Sequence, residues 1–273
     1  MMGCVICKDA EEKKIFRELT QCENCRLIYY DKIKNVNVSD LYQEGYFKGE
    51  EYFDYINDKA ILQKNFARHL DEIIKYKKNG KLFEIGCAYG FFLELAKKYF
   101  TVEGIDIAKY PANYAKNKLG LNVSTGLYTE YVPNKKYDIF CMWDTIEHLE
   151  TPEKYIEKIK SELNPGGYLF LTTGNIESLL AKIRGKKWRI IHPPTHLFYF
   201  SKRTITKLLE QYGFQVINIT HPGIYRSLKQ ILYSLIFLNK KKLPETIEKL
   251  LNKFDIPVYI NTFDIMMVVA KKI

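Results

Sequence analysis

The sequence has no apolar run long enough to cross a bilayer: the nearest approach, Ile231 to Leu238, falls well short of the roughly eighteen residues a span requires. It also lacks the apolar core of a secretion signal, because Cys4, Cys7 and Lys8 stand where that core belongs. Together these absences predict a cytoplasmic protein with reduced cysteines. Internal repeats and low-complexity tracts are missing, which excludes solenoids and disordered arrays. Acidic residues are in deficit, 32 against 42 Lys and Arg, for a net charge of +10. That surplus suits an anionic partner such as a nucleotide sugar, an anionic glycolipid or RNA. The lysines are scattered, however, and solvated helix faces are the favoured explanation. One cluster is dense enough to line the entrance for an acidic substrate: Lys182, Arg184, Lys186, Lys187 and Arg189 around Trp188.

What remains is a chain of 273 residues, 47% hydrophobic, long enough for one large core and a small appendage. Three zones emerge. Residues 1–30 hold four of the six cysteines. Residues 31–78 are rich in aromatics (Tyr42, Tyr46, Phe47, Tyr52, Phe53, Tyr55) and end in a helix on which Leu62, Phe66, Leu70, Ile73 and Ile74 repeat at helical spacing. From residue 79 to 273, strands and helices alternate, the pattern of a parallel sheet covered on both faces. Strands are expected at 81–85, 101–106, 121–125, 137–143, 167–173, 214–220 and 263–270, with helices at 90–99, 111–119, 152–163 and 202–212. Asn164-Pro165-Gly166-Gly167 is the turn that launches the fifth strand. Between the last two strands an insertion predicts helices at 225–238 and 244–253.

The most informative stretch is Glu84-Ile85-Gly86-Cys87-Ala88-Tyr89-Gly90, a glycine-rich turn from a strand into a helix. Such a turn lets backbone approach a ligand and aims a helix N-terminus at it. Asp106 ends the next strand, about twenty residues on, where folds of this kind place a carboxylate for ribose hydroxyls. The competing reading, glycine used only for tight packing, leaves these acidic positions unexplained.

With Tyr137 to Asp144 as a fourth strand and Leu163-Asn164-Pro165-Gly166-Gly167 as an "L-x-P-G-G" turn, the chain from residue 80 onward resembles class I S-adenosylmethionine-dependent methyltransferases. The resemblance implies an α/β, Rossmann-like seven-stranded sheet whose last strand, here Phe263 to Ala270, is antiparallel. It implies S-adenosylmethionine as cofactor. Glu84 would lie beneath the methionine amino group, and Gly86, Cys87, Ala88 and Gly90 would form the cradle. Asp106 would take the ribose hydroxyls and Ile107 would flank the adenine. Gly126 and Leu127 would border the adenine edge, and Trp143 would face the sulfonium. Ala88 stands where the family carries a glycine.

Cys4-x-x-Cys7 and Cys22-x-x-Cys25 have the spacing of a four-thiolate zinc ribbon. A disulfide pair or unrelated thiols is the alternative, and the missing secretion signal weighs against it. Cys87 and Cys141 read as small core residues. The ribbon, with Cys25-Arg26-Leu27-Ile28-Tyr29 and the aromatics after it, resembles the zinc-binding segment preceding many sugar and polysaccharide-cluster methyltransferases. It implies structural zinc and that residues 40–58 fold as a lid over cofactor and acceptor, although plain packing of those aromatics serves equally well.

For a hydroxyl acceptor a base is needed, and histidine suits it. His148 follows the fourth strand. His192 and His196 lie in Trp188 to Ser201, similar to a "W-x-x-x-x-P-P-x-H-L-x-x-F-S" stretch, and His69 and His221 read as structural. Asp144-x-x-Glu147-His148 is similar to the "E-x-x-E-H" of ubiquinone-pathway O-methyltransferases, which hold a divalent ion, and this implies magnesium. Base, metal ligand and plain helix-start roles all remain open for Glu147 and His148. The acceptor implied by the resemblance is a sugar hydroxyl or a nucleotide sugar in surface-glycan synthesis. The competing functions are a ribosomal-RNA methyltransferase, disfavoured by the lack of a basic stripe, and a zinc adaptor without cofactor, disfavoured by the intact Glu84, Gly86, Gly90 and Asp106.

Overall fold

The structure is a computed structural model that describes residues 3–8, 11–16, 18–33, 55–228, 231 and 256–273. Three short strands open the chain: β1 (Glu12–Lys14), β2 (Leu19–Cys22) and β3 (Ile28–Tyr30). Helix α1 (Lys59–Tyr76) leads into β4 (Lys81–Ile85), α2 (Phe91–Ala96), β5 (Thr101–Asp106), α3 (Lys109–Leu119), β6 (Val123–Thr125) and β7 (Tyr137–Trp143). Then come α4 (Pro152–Glu162), β8 (Leu163–Gly174), α5 (Leu179–Arg184), β9 (Phe198–Tyr199), α6 (Lys202–Gln211) and β10 (Phe214–Thr220). A two-stranded ribbon, β11 (Ile224–Ser227) with β12 (Pro257–Ile260), precedes the closing strand β13 (Ile265–Lys272).

The main sheet has seven strands in the order β10-β13-β8-β7-β4-β5-β6. Strands β4 to β8 run parallel, and β13 is antiparallel to both neighbours, as expected. Alternation along β7 explains the two-sided core. Phe140 and Met142 join one cluster with Ile156 and Ile159 of α4 and Leu208 and Leu209 of α6. Ile139, Cys141 and Trp143 join the other with Leu70 and Ile73 of α1 and Phe92 of α2. The strand order reverses beside β4, so the β4–α2 turn opens at the crevice where such sheets bind ligands.

The Asn164–Gly167 turn lies inside β8 rather than before it. The register jumps from Tyr137↔Leu163 to Ile139↔Tyr168, so these residues form a bulge. A Cβ on Gly167 would sit 3.0 Å from the Asp138 and Asn164 carbonyl oxygens, a contact a side chain would relieve only by shifting backbone. The expected helix at 225–238 is corrected at its start, since residues 224–227 form β11. Asn65 on α1 clamps that strand, donating to the Tyr225 carbonyl at 3.0 Å and accepting its N–H at 2.7 Å. The rest of that helix apart from Leu228 and Ile231, the helix at 244–253, and the proposed lid apart from residues 55–58 lie outside the described residues.

The N-terminal strands are not a separate body. Strand β9 adds to β3 to make a second sheet, β1-β2-β3-β9, and Cys22, Cys25, Leu27 and Tyr29 share one buried cluster with Phe140, Phe198 and Phe200.

Candidate active site

The β4–α2 turn folds tightly under β5. Gly86 and Cys87 donate to the Ile105 carbonyl at 2.9 and 3.2 Å, and Gly90 donates to the Cys87 carbonyl at 2.7 Å. Gly86 lies at φ +76°, and a Cβ there would strike Thr145 Oγ1 at 2.6 Å. The Asp106 carboxylate ties the turn to β5: Oδ2 accepts the Ala88 N–H at 2.7 Å and Oδ1 the Ala108 N–H at 2.8 Å. Each oxygen keeps a second lone pair for a hydroxyl donor. Burial pushes Asp106 up to about 6 against the pull of those two amides.

Over this turn opens a cavity of about 230 Å³ lined by Gly86, Ala88, Asp106, Ile107, Gly126, Leu127, Trp143 and His148 among others. Tyr55 also lines it, packing its ring 5.3 Å from Tyr89 and 5.6 Å from Phe91. Glu84, Cys87 and Gly90 lie below the lining. Glu84 is buried with Oε2 unpartnered, and burial followed by the Asp106 charge raises its carboxyl well above the ordinary range. A buried carboxylate oxygen without a donor fits a cationic ligand group above it. Trp143 Nε1 is likewise buried without an acceptor.

At the cavity's far end β7 runs into a 3-10 turn, Ile146–His148. Glu147, His148 and His196 each bring one donor atom within 4.8 Å of the others. His148 and His196 cross at right angles with ring centroids 4.5 Å apart. His148 Nδ1 pairs with the Thr195 carbonyl at 2.9 Å and His196 Nδ1 with the Ile190 carbonyl at 2.8 Å. Burial pulls His148 down to about 4 and His196 well below its ordinary value. Burial, then the Asp144 charge, raises Glu147, whose Oε2 has no partner. Asp144 stands outside this group, accepting the Thr172 hydroxyl at 2.9 Å, so His196 takes the place expected for Asp144. His192 is exposed. His221 Nδ1 pairs with the Ile265 carbonyl at 3.0 Å, and His69 packs 4.5 Å from the Trp143 ring.

In the N-terminal segment the sulfurs of Cys4, Cys7, Cys22 and Cys25 lie within 4.8 Å of one another, and none of the six cysteines is in a disulfide. The two knuckles are built alike. Lys8 (φ +59°) donates to the Cys4 carbonyl at 2.7 Å, and Arg26 (φ +69°) to the Cys22 carbonyl at 2.9 Å. Four converging thiols suit a tetrahedral zinc ion in a closed, structural site.

Comparison with known proteins assigns the family and the fold. The family model described as "Methyltransferase domain" matches residues 57–219, and the chain belongs to that family, with the class I S-adenosylmethionine-dependent fold. It is 27% identical over 147 residues to a ubiquinone biosynthesis O-methyltransferase of Actinobacillus pleuropneumoniae, covering 46% of this chain and 63% of that protein. A protein of the same name from Coxiella burnetii is 27% identical over 166 residues, covering 56% of this chain and 70% of that one. Magnesium protoporphyrin IX methyltransferase from Synechocystis PCC 6803, solved with bound S-adenosylhomocysteine, has a TM-score of 0.55 at 15% identity over 86% of this chain and 98% of that one. Among the described residues no helix is long and apolar enough to cross a membrane.

The residues missed from sequence are Leu197, Thr195 and Asn65. Only Leu197 had a signal, its place in the His-Leu-x-x-Phe-Ser stretch.

Proposed function

We propose that this protein transfers the methyl group of S-adenosylmethionine to an oxygen of a small anionic acceptor, with a nucleotide sugar as the leading candidate. The observation that carries this reading is the meeting of Glu147, His148 and His196, of which His148 lines the cavity whose other wall is the Gly86–Asp106 cradle.

When bound, the cofactor supplies an electrophilic methyl on a cationic sulfur. The chain's own residues do the rest. The Gly86 and Ala88 backbone lets the ligand approach, Asp106 accepts the ribose hydroxyls, and Ile107, Gly126 and Leu127 flank the adenine. Glu84 offers an unpartnered carboxyl oxygen from beneath, and Trp143 walls the reacting end. Positioning supplies most of the rate in such a displacement. His148 is held neutral by burial and takes the acceptor's proton, with Glu147 and His196 beside it to spread the charge.

The oxygen acceptor is supported by the relatives' names and the sugar by the resemblance of the cysteine segment. The anionic character is supported by the basic cluster of Lys182, Arg184, Lys186, Lys187 and Arg189 around Trp188. All five side chains are exposed, and Arg189 also pairs with the buried Asp264 carboxylate at 3.4 Å. Such a cluster of cations suits a phosphate or carboxylate.

A second reading follows from the same donor set, in which Glu147, His148 and His196 hold a divalent ion. Two imidazoles suit a borderline metal better than magnesium, which prefers oxygen. A tritiated-methyl transfer screen against nucleotide sugars, with RNA and quinol precursors as controls and with chelator and added magnesium or manganese as further arms, tests both. Label entering RNA in a salt-sensitive manner would favour the ribosomal alternative. Absence of S-adenosylhomocysteine binding would leave only the adaptor.

A further inference from the structure

The cysteine segment and the histidine pair lie on opposite sides of one short strand. Ile28 of β3 pairs with Tyr199 and Tyr29 with Phe198, and the Tyr30 N–H donates to the Leu197 carbonyl at 2.8 Å. On its other side the Leu197 N–H donates to the Glu147 carbonyl, also at 2.8 Å. Leu197 thus bonds through its two backbone groups to the ribbon and to the acceptor-side turn. Its neighbours carry the connection further. The Thr195 carbonyl holds His148, and the Tyr199 hydroxyl donates to the His196 carbonyl at 3.0 Å.

Strand β9 has two residues, and among the described residues β3 is its sole sheet neighbour. A strand that short cannot hold its own register. Beyond it, Phe200 is anchored independently, accepting the Ile176 N–H at 2.9 Å, so the stretch that leans on the ribbon is 195–199. The ribbon strands are themselves short, and β3 begins three residues after Cys25. Along its length β3 pairs with β2, from Leu19↔Tyr30 to Gln21↔Ile28, and β2 ends at Cys22, whose N–H donates to the Leu27 carbonyl at 2.9 Å beside the cluster of cysteine sulfurs. Besides the shared buried cluster, Lys207 of α6 donates to Cys7 Sγ at 3.6 Å.

We infer that the four-cysteine knuckle is a positioning element of the acceptor site: a metal ion held by Cys4, Cys7, Cys22 and Cys25 sets the place of Leu197, and through it of Glu147, His148 and His196. The cofactor cradle is built from β4, β5 and their loops, which the ribbon strands do not join, so the two halves of the site respond differently to loss of the metal. This rests on the reading of those three residues as acceptor-side groups, but its test needs no acceptor.

The test uses the full chain loaded with zinc, then stripped with a chelator and reloaded. Stripping should speed hydrogen exchange of the Leu197 amide by about tenfold or more and shift the His148 and His196 ring resonances. S-adenosylhomocysteine affinity should stay within about twofold, because the cradle keeps its own bonds. Zinc should restore all three signals. Cys7→Ser, at the half-exposed ligand, keeps three thiolates and should give a smaller, zinc-reversible effect. Unchanged Leu197 exchange and ring resonances after removal would overturn the inference. So would cofactor affinity collapsing in step, which would mean general unfolding, or a chain that takes up no zinc. Failure of methyl transfer with these signals intact would instead refute the proposed reaction.

Discussion

The Asp106 carboxylate accepts the Ala88 backbone N–H at 2.7 Å while Ala88 itself sits at φ +43°. The family's glycine at that position is therefore a backbone requirement, which this chain meets with an alanine held in the left-handed region by one charge-assisted hydrogen bond. That conformation costs an L-residue about 1–2 kcal/mol, partly offset by the lower entropy of its unfolded chain. Ala88→Gly is expected to raise stability by about 0.5–1 kcal/mol in denaturant melts. A destabilised variant would show that the methyl packs favourably enough to outweigh the strain.

Asp106 also sets a pH limit on cofactor binding. Burial lifts its carboxyl to about 6, and only the ionised form accepts two ribose hydroxyls on top of two amides. S-adenosylhomocysteine affinity should hold from pH 8 to 6.5 and then fall by up to about tenfold per unit below pH 6. Asp106→Asn should bind weakly with little dependence on pH over that range. Calorimetry across the series decides, and a flat wild-type profile down to pH 5 would remove Asp106 from ribose recognition.

Much of the fold was readable because each strand of the main sheet carries its own local signal. The apolar runs at Lys81–Ile85, Thr101–Asp106 and Tyr137–Trp143 are observed within the expected bounds. The cradle was readable for a similar reason, since glycines at Gly86 and Gly90 report positive φ directly. What escaped depends on pairing between distant residues. Nothing around Phe198 announces a partner at Tyr29, and Tyr225 reads as helical until Asn65, 160 residues away, claims its backbone. The replacement of Asp144 by His196 in the donor group has the same origin. Sequence spacing put Asp144 three residues from Glu147, but its φ of +46° and its bond to Thr172 turn it elsewhere.

His148 is the residue whose loss should separate chemistry from binding. It contacts the cavity, while the cradle's hydrogen bonds run through Asp106, Ile105 and Cys87. His148→Ala should lower kcat by about 10²–10⁴, the usual worth of a positioned base, and change S-adenosylhomocysteine affinity by less than about threefold. Steady-state kinetics with the acceptor found in the screen, beside calorimetry, measures both. Unchanged turnover would remove His148 from the mechanism, and a large loss of cofactor affinity would reassign it to the cradle.

His69 offers a cleaner reading of buried charge than the acceptor cluster, where histidines and carboxylates titrate against one another. It is buried against Trp143 with Nδ1 unpartnered, and burial pulls it down to about 3. The unfolded chain takes up this proton near pH 6.5 and the folded chain does not, so the linkage drains stability as pH falls from about 6.5 toward 3. His69→Phe keeps a ring in the same place and removes the titration. Its stability relative to the wild type should therefore grow on acidification, by about 2 kcal/mol between pH 7.5 and 5, with no further change above pH 7. Urea melts at both values measure this difference. A gap that does not widen at pH 5 would mean that the imidazole gains a proton and a partner in the folded state.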